Sequence, residues 1–245
     1  MPKSGSHLII QILEGLTGIG PFVNPGMPPL NRHEDNSILP PEKVVTNIRR
    51  LDHGDIAYCY LPAEAPYLPE LIQPEHAVIF MYRDPRDMIV SHVFYATEMH
   101  QEHNMHRYYT ESLRNMDERV KAAILGVTAP ENPLSPIALK YQRYLPWLEQ
   151  PSVLGMRFED LILKRDDALR KILTYLKKFD FRPEVGMDEA VNVLKKAIEP
   201  KRSGTFRKGQ PGNWREHFSE ENKELFKKET GDLLQRLGYE ADQDW

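Results

Sequence analysis

The sequence contains a single cysteine, Cys59, among 245 residues. One cysteine excludes an intramolecular disulfide and argues against the usual Cys/His structural zinc site. A reducing compartment is the natural expectation. Long apolar runs are also lacking, since no stretch approaches the roughly 20 residues that a membrane-crossing helix requires. Near the start, His7, Gln11 and Glu14 interrupt the apolar residues. That stretch does not read as a secretory signal core, and the cytoplasm is the expected location. Positive charge is not in excess either: 32 basic residues face 36 acidic ones, for a net charge of -4. A nucleic acid or an anionic membrane is therefore not expected as a partner. Any anion site must be a local cluster of basic residues. The pattern GxxxxGK[ST] of a standard phosphate loop is absent too.

Hydrophobic residues at 40% and charged residues at 28% suit one globular domain spanning 1–245. Leu8, Ile9, Ile12, Leu13 and Leu16 recur at helical spacing and are followed by Gly18 and Gly20. Residues 18–41 are rich in Pro, Gly and Asn and read as a long loop. Helices are expected over 43–51, 85–99, 108–125, 135–148, 160–179, 188–198 and 220–237. Strands are expected over Ile56–Leu61, Ala77–Tyr82 and Ser152–Phe158; the run AVIFMY is apolar throughout, as a buried strand should be. Strands alternating with helices predict an α/β fold with a parallel sheet flanked by helices. In such sheets ligands bind beyond the carboxyl ends of the strands.

Three segments carry anion chemistry. Pro2-Lys3-Ser4-Gly5-Ser6-His7-Leu8 runs into the first helix. A glycine loop at a helix N-terminus offers backbone N–H groups and a positive dipole end, and Lys3 adds a point charge. In the second segment, Arg83-Asp84-Pro85-Arg86-Asp87 follows the AVIFMY strand, and Ser91 comes eight residues after Arg83. Two helical turns bring that hydroxyl to the same side as the guanidinium fork. The plain alternative is a surface arginine paired with Asp84 or Asp87. The third segment is Phe206-Arg207-Lys208-Gly209-Gln210-Pro211-Gly212-Asn213-Trp214, with two cations ahead of a glycine. Its plain alternative is a solvated basic loop anchored by Trp214.

In this order and spacing the three segments resemble the motifs of the PAPS-dependent sulfotransferases, whose sulfuryl donor is 3'-phosphoadenylyl sulfate. The resemblance runs from residue 2 to about residue 218. It implies a P-loop-NTPase-like parallel sheet and transfer of a sulfuryl group to a hydroxyl or amine of a small-molecule acceptor. Lys3 would touch the bridging oxygen of the donor. The backbone of Ser4, Gly5, Ser6 and His7 would cradle the 5'-phosphate. Arg83 and Ser91, joined by Arg207, Lys208 and Gly209, would hold the 3'-phosphate. Phe158 stands where the family usually has a Tyr beside the adenine. No metal is required by this chemistry, which depends on positioning and charge stabilisation.

The pattern departs from the family in places. Tyr60, in Tyr58-Cys59-Tyr60-Leu61-Pro62, occupies the position of the family's catalytic His. A free Tyr titrates near 10 and is a weak base at neutral pH. An acidic acceptor, an alternative base such as His53 or His33, or donor binding without efficient transfer each accommodate this change. His53, in Asp52-His53-Gly54-Asp55, also reads as a turn residue. A PAPS- or PAP-binding protein with weak or no transferase activity is thus the alternative function. His100, His103 and His106 recur every third residue; a polar helix end is preferred over a metal site. Such folds place a buried strand before the phosphate loop, and only Met1 precedes Pro2. The first strand is expected to lie upstream or to have been trimmed. The family's dimerisation segment has no clear counterpart after Glu216, which leaves a homodimer open.

Overall fold

The structure, a computed structural model, describes residues 1–23, 29–202 and 209–245. Its helices and strands run α1 Ser6–Leu16, α2 Pro41–Arg49, α3 Tyr67–Leu71, β1 Val78–Tyr82, α4 Pro85–Phe94, α5 Met116–Leu125 and α6 Ile137–Gln142. There follow β2 Val153–Arg157, α7 Phe158–Leu163, α8 Arg165–Leu176, α9 Met187–Ala197, α10 Glu220–Thr230 and α11 Leu233–Arg236. Two compact units emerge: Met1–Tyr82 with Arg143–Phe206, and Arg83–Gln142 with Arg207–Trp245.

In the first unit, β1 and β2 pair in parallel, with Val78 opposite Val153 and Tyr82 opposite Arg157. The apolar β1 sequence follows from a strand covered on both faces. The Tyr175 hydroxyl, on α8, reaches the carbonyls of Val78 at 2.9 Å and Ser152 at 2.7 Å. It fastens the entry of both strands, and burial pushes its pKa up to about 12. Ile9, Ile12 and Leu16 on α1 join Ile172, Leu173 and Leu194 of α8 and α9 in one buried cluster. The three- and four-residue spacing puts all three α1 residues on a single face.

Ile56–Leu61 is not the expected strand. Its backbone bonds to the preceding loop instead. Ile56 N–H donates to Val23 O at 2.9 Å, and Leu30 N–H donates to Tyr58 O at 2.9 Å. Asn31 takes Tyr60 N–H on Oδ1 at 3.1 Å and returns its amide to Tyr60 O at 3.3 Å. A ladder needs a neighbouring strand. A cavity of about 580 Å³ lies against both this segment and β1.

In the second unit, α4 is buried along most of its length, Pro85 to Val90 included. The expected 85–99 helix changes pitch at Tyr95, where a π-turn covers Tyr95–Met99. The 108–125 helix breaks as well: a π-turn covers Tyr108–Ser112, and Asn115 caps α5 with its side chain on Glu118 N–H. Gly231 likewise ends α10 inside the expected 220–237 helix. At Asn115 a capping side chain, and at Gly231 a glycine, stop the 3.6-residue repeat. The 135–148 and 160–179 helices are also split, the latter at Lys164. No helix among the described residues is long and apolar enough to cross a membrane.

Candidate functional site

The first motif forms a left-handed turn leading into α1. Lys3 has φ 61° and Gly5 has φ 94°. Residues in this conformation tilt successive N–H groups inward and make anion-binding concavities. Gly5 caps α1 without any side-chain hydrogen bond. Leu8 N–H and Ile9 N–H both return to Gly5 O, at 3.0 and 3.1 Å. The N–H groups ahead of them, at Ser6 and His7, have no carbonyl within the helix to meet.

Ser4 is fully buried, and its Oγ has no hydrogen-bond partner among the described residues. A buried orphan hydroxyl costs roughly 1–3 kcal/mol, so it marks a place for an external acceptor. The turn also has no room for a larger residue at position 5. A Cβ there would stand 2.5 Å from Cδ2 of Phe158. Phe158 thus lies beneath the turn, 6% exposed, as part of the apolar cluster. Its ring supports the glycine. His7 is exposed as a residue, yet partial desolvation of its ring lowers its pKa, and the Lys3 charge adds to the effect.

Two further sequence candidates belong to the same unit. Tyr60 has its main chain clamped by Asn31 and its ring 5.7 Å from the Arg32 guanidinium. The Tyr58 ring stands edge-on at 6.3 Å. His53 is an exposed turn residue between Asp52 and Asp55, whose backbones close at 3.0 Å. Ser6, His53, Cys59 and Tyr60 all line the 580 Å³ cavity. Most of its remaining lining is apolar, including Ile9, Ile79 and Phe181.

The second motif belongs to the other unit and is built differently. Asp84 caps α4, accepting from Arg86 N–H at 2.9 Å, and Pro85 fills the first helical position. The same carboxylate receives the Arg86 guanidinium at 2.7 Å. Arg83 is only 12% exposed and stands 3.9 Å from Asp87. Its carbonyl accepts from the Tyr141 hydroxyl at 2.6 Å. Ser91 is half-buried two turns further along α4. The pairing with Asp87 that the plain alternative expects is present, but it is buried and not a surface pair.

Of the third motif, Arg207 and Lys208 lie outside the described residues. Gly209 has φ 62° and Gly212 φ 81°, backbone that favours glycine. Beyond them the chain is tied down, with Gly212 N–H and Trp214 N–H donating to the two oxygens of Asp87 at 2.7 and 2.9 Å. Burial pushes the Asp87 carboxyl up, opposed by Arg83 and by those two donors. Trp214 is 4% exposed, as an anchor should be.

Sequence reasoning missed several participants. Asp87 was visible only as an ion-pair partner. Arg86 stacks over Trp214 at 3.9 Å and Trp245 at 4.4 Å, and meets Glu240 at 2.6 Å. No local pattern announces a contact with a residue at position 245. The histidines at 100, 103 and 106 serve local contacts. His103 Nδ1 accepts from Met105 N–H at 3.1 Å, and His106 Nδ1 lies 2.8 Å from Ala96 O. No cluster of three or more metal-ligating side chains occurs among the described residues.

A parallel-stranded core, a left-handed turn leading into α1 and, in the other unit, a half-buried Arg83–Ser91 helix face define an α/β protein. The chain belongs to the sulfotransferase family: the family model for the sulfotransferase domain matches residues 1–238. Mouse sulfotransferase SULT7A1, solved in complex with PAP, is similar over 98% of this chain and 83% of its own, at 15% identity and a TM-score of 0.66. Retinol dehydratase, solved with androsterone and the inactive cofactor PAP, matches 82% of this chain and 57% of its own, at 16% identity and a TM-score of 0.52. At such identities the likeness is one of fold, and it bears out the expected parallel-sheet α/β class. No curated protein matches the chain.

Proposed function

We propose that this chain transfers a sulfuryl group from PAPS to a hydroxyl or amine of a small, largely apolar acceptor. The observation that carries the donor half is the buried Ser4 Oγ, unpartnered among the described residues, in the left-handed Lys3–Gly5 turn at the start of α1. It fits an anion with several acceptor oxygens, such as the 5'-phosphate end of the donor. In this reading Lys3 stabilises negative charge on the oxygen that leaves sulfur, and the N–H groups of Ser6 and His7 hold the phosphate. Arg83 and Ser91, with Arg207, Lys208 and Gly209, take the 3'-phosphate. Phe158 acts by supporting Gly5 and stands near the adenine only by analogy with the family. When bound, PAPS supplies the activated sulfur–oxygen bond, and the chain supplies orientation and charge.

Support for the acceptor half comes from the cavity in the first unit. Tyr60, His53 and Ser6 line it within an otherwise mainly apolar surface. Tyr60 is the foremost candidate to receive the acceptor proton, with His53 second. The new bond joins acceptor oxygen to sulfur, the bond from sulfur to the phosphate oxygen breaks, and the proton passes to that base.

The test is a screen of phenols, alcohols and amines with labelled PAPS, run on wild type, Lys3→Ala, Tyr60→Phe and Tyr60→His. Labelled product that disappears in Lys3→Ala supports transfer, and loss in Tyr60→Phe assigns the base. A second reading, donor binding without transfer, is favoured by the Tyr at position 60. In that case PAP raises the melting temperature, no acceptor is labelled, and Tyr60→His gains activity.

A further inference from the structure

The third motif is tied down where its described part begins to pack, at Gly212 and Trp214. Four residues beyond Lys208, Gly212 N–H meets one oxygen of Asp87, and two residues later Trp214 N–H meets the other. Asp87 has no exposed side-chain surface and stands 3.9 Å from the Arg83 guanidinium. Behind it the Trp214 ring is fixed from two directions. The Arg86 guanidinium covers it at 3.9 Å, and the Trp245 ring meets it edge-on at 5.4 Å. Arg86 is itself held by Asp84 at 2.7 Å and Glu240 at 2.6 Å.

An acid in the first turn of a helix ordinarily serves that helix's own dipole. Asp87 instead uses both oxygens on a segment more than a hundred residues away in sequence. We propose that Asp87 is a positioning residue for 3'-phosphate recognition: it fixes the Gly212–Trp214 backbone, which follows Arg207 and Lys208 in sequence, and it orients Arg83. This role presupposes the donor reading above. Asp87 touches no donor atom; it acts through the loop backbone and through Arg83. The stack of Arg86 with Trp214 and Trp245 backs the same anchor.

The sign of one substitution separates positioning from mere charge balance. Removing the carboxylate makes the surroundings of Arg83 more positive, which by Coulomb's law alone tightens phosphate binding. Loss of positioning weakens it. The experiment is calorimetric titration of the full chain with PAP and with 5'-AMP, which differ only in the 3'-phosphate. Wild type is expected to prefer PAP. In Asp87→Asn the PAP affinity falls by about tenfold while the AMP affinity holds, as expected for broken charge-assisted hydrogen bonds. A preference for PAP that stays the same or grows overturns the proposal. Should Asp87→Asn fail to fold, Trp245→Ala decides: a roughly threefold loss of preference supports the anchor, and no loss refutes it. If wild type itself does not distinguish PAP from AMP, the donor reading falls before any variant is made.

Discussion

Two helices of nearly equal length, α1 and α4, begin in opposite ways. α1 opens on Gly5 with no side-chain cap, beside a buried Ser4 hydroxyl without a partner among the described residues. α4 opens on Asp84, whose carboxylate takes both the backbone N–H and the guanidinium of Arg86. A helix start is a ready anion site only while its N–H groups and dipole are uncommitted. In the proposed reading, α1 would recognise an anion with its backbone. At α4 the cap is supplied internally, and the same reading gives recognition to the side chains of Arg83 and Ser91. Selectivity is consequently expected to depend on shape at the first start and on charge at the second.

The contrast can be broken most sharply at Arg86. Arg86→Leu leaves Asp84 and Glu240 without their shared cation, and a loss of about 3–5 kcal/mol in urea unfolding is expected. A loss under about 1 kcal/mol would mean that the α4 start is not held by this pair, since that is the worth of an exposed ion pair. Lys3→Ala should lower sulfuryl transfer by about 10²-fold in single-turnover assays with little change in melting temperature. Retention of activity would remove the α1 turn from the chemistry.

Ser4→Ala sharpens the same point with opposite signs. Deleting an orphan hydroxyl should leave the stability of the free chain unchanged or slightly raised, while PAP affinity drops by roughly fivefold. Lower stability without weaker binding would identify Ser4 as a structural residue. The last effect is confined to alkaline pH and concerns Cys59, whose thiol is pushed up by burial from 9.0 to about 11. Between those values the unfolded chain gives up its proton first, so stability falls as pH rises through that window. Cys59→Ala should flatten that fall in a pH series of denaturation curves. An unchanged slope would place the thiol in contact with bulk water.

Much of this contrast was legible in the sequence. The apolar AVIFMY run, the Pro2–Leu8 turn and the Pro85 start each follow from local chemistry, and the structure places them as expected. Ile56–Leu61 was misjudged because a strand is defined by its neighbour, and its backbone bonds to Val23, Leu30 and Asn31 instead. Helix breaks at Leu113 and Gly231 were hidden by continuing apolar periodicity, which records a buried face and not an unbroken axis. Glu240 and Trp245 escaped notice, and Asp87 was read only as an ion-pair partner, because their contacts are with residues distant in sequence. Whether a charged residue is buried is decided by tertiary packing, on which local pattern is silent.

The pairing of Val78 with Val153 also bears on how the chain folds. In sequence, the whole stretch from Arg83 to Gln142, which belongs to the second unit, separates these two paired strands. On a ribosome β1 emerges well before its partner and must wait, apolar and unpaired, until β2 appears. Closing so long a loop adds an entropic barrier and predicts slow, non-local folding. Yield should therefore respond to temperature and to chaperones that shield strand edges, even in variants whose equilibrium stability is unchanged.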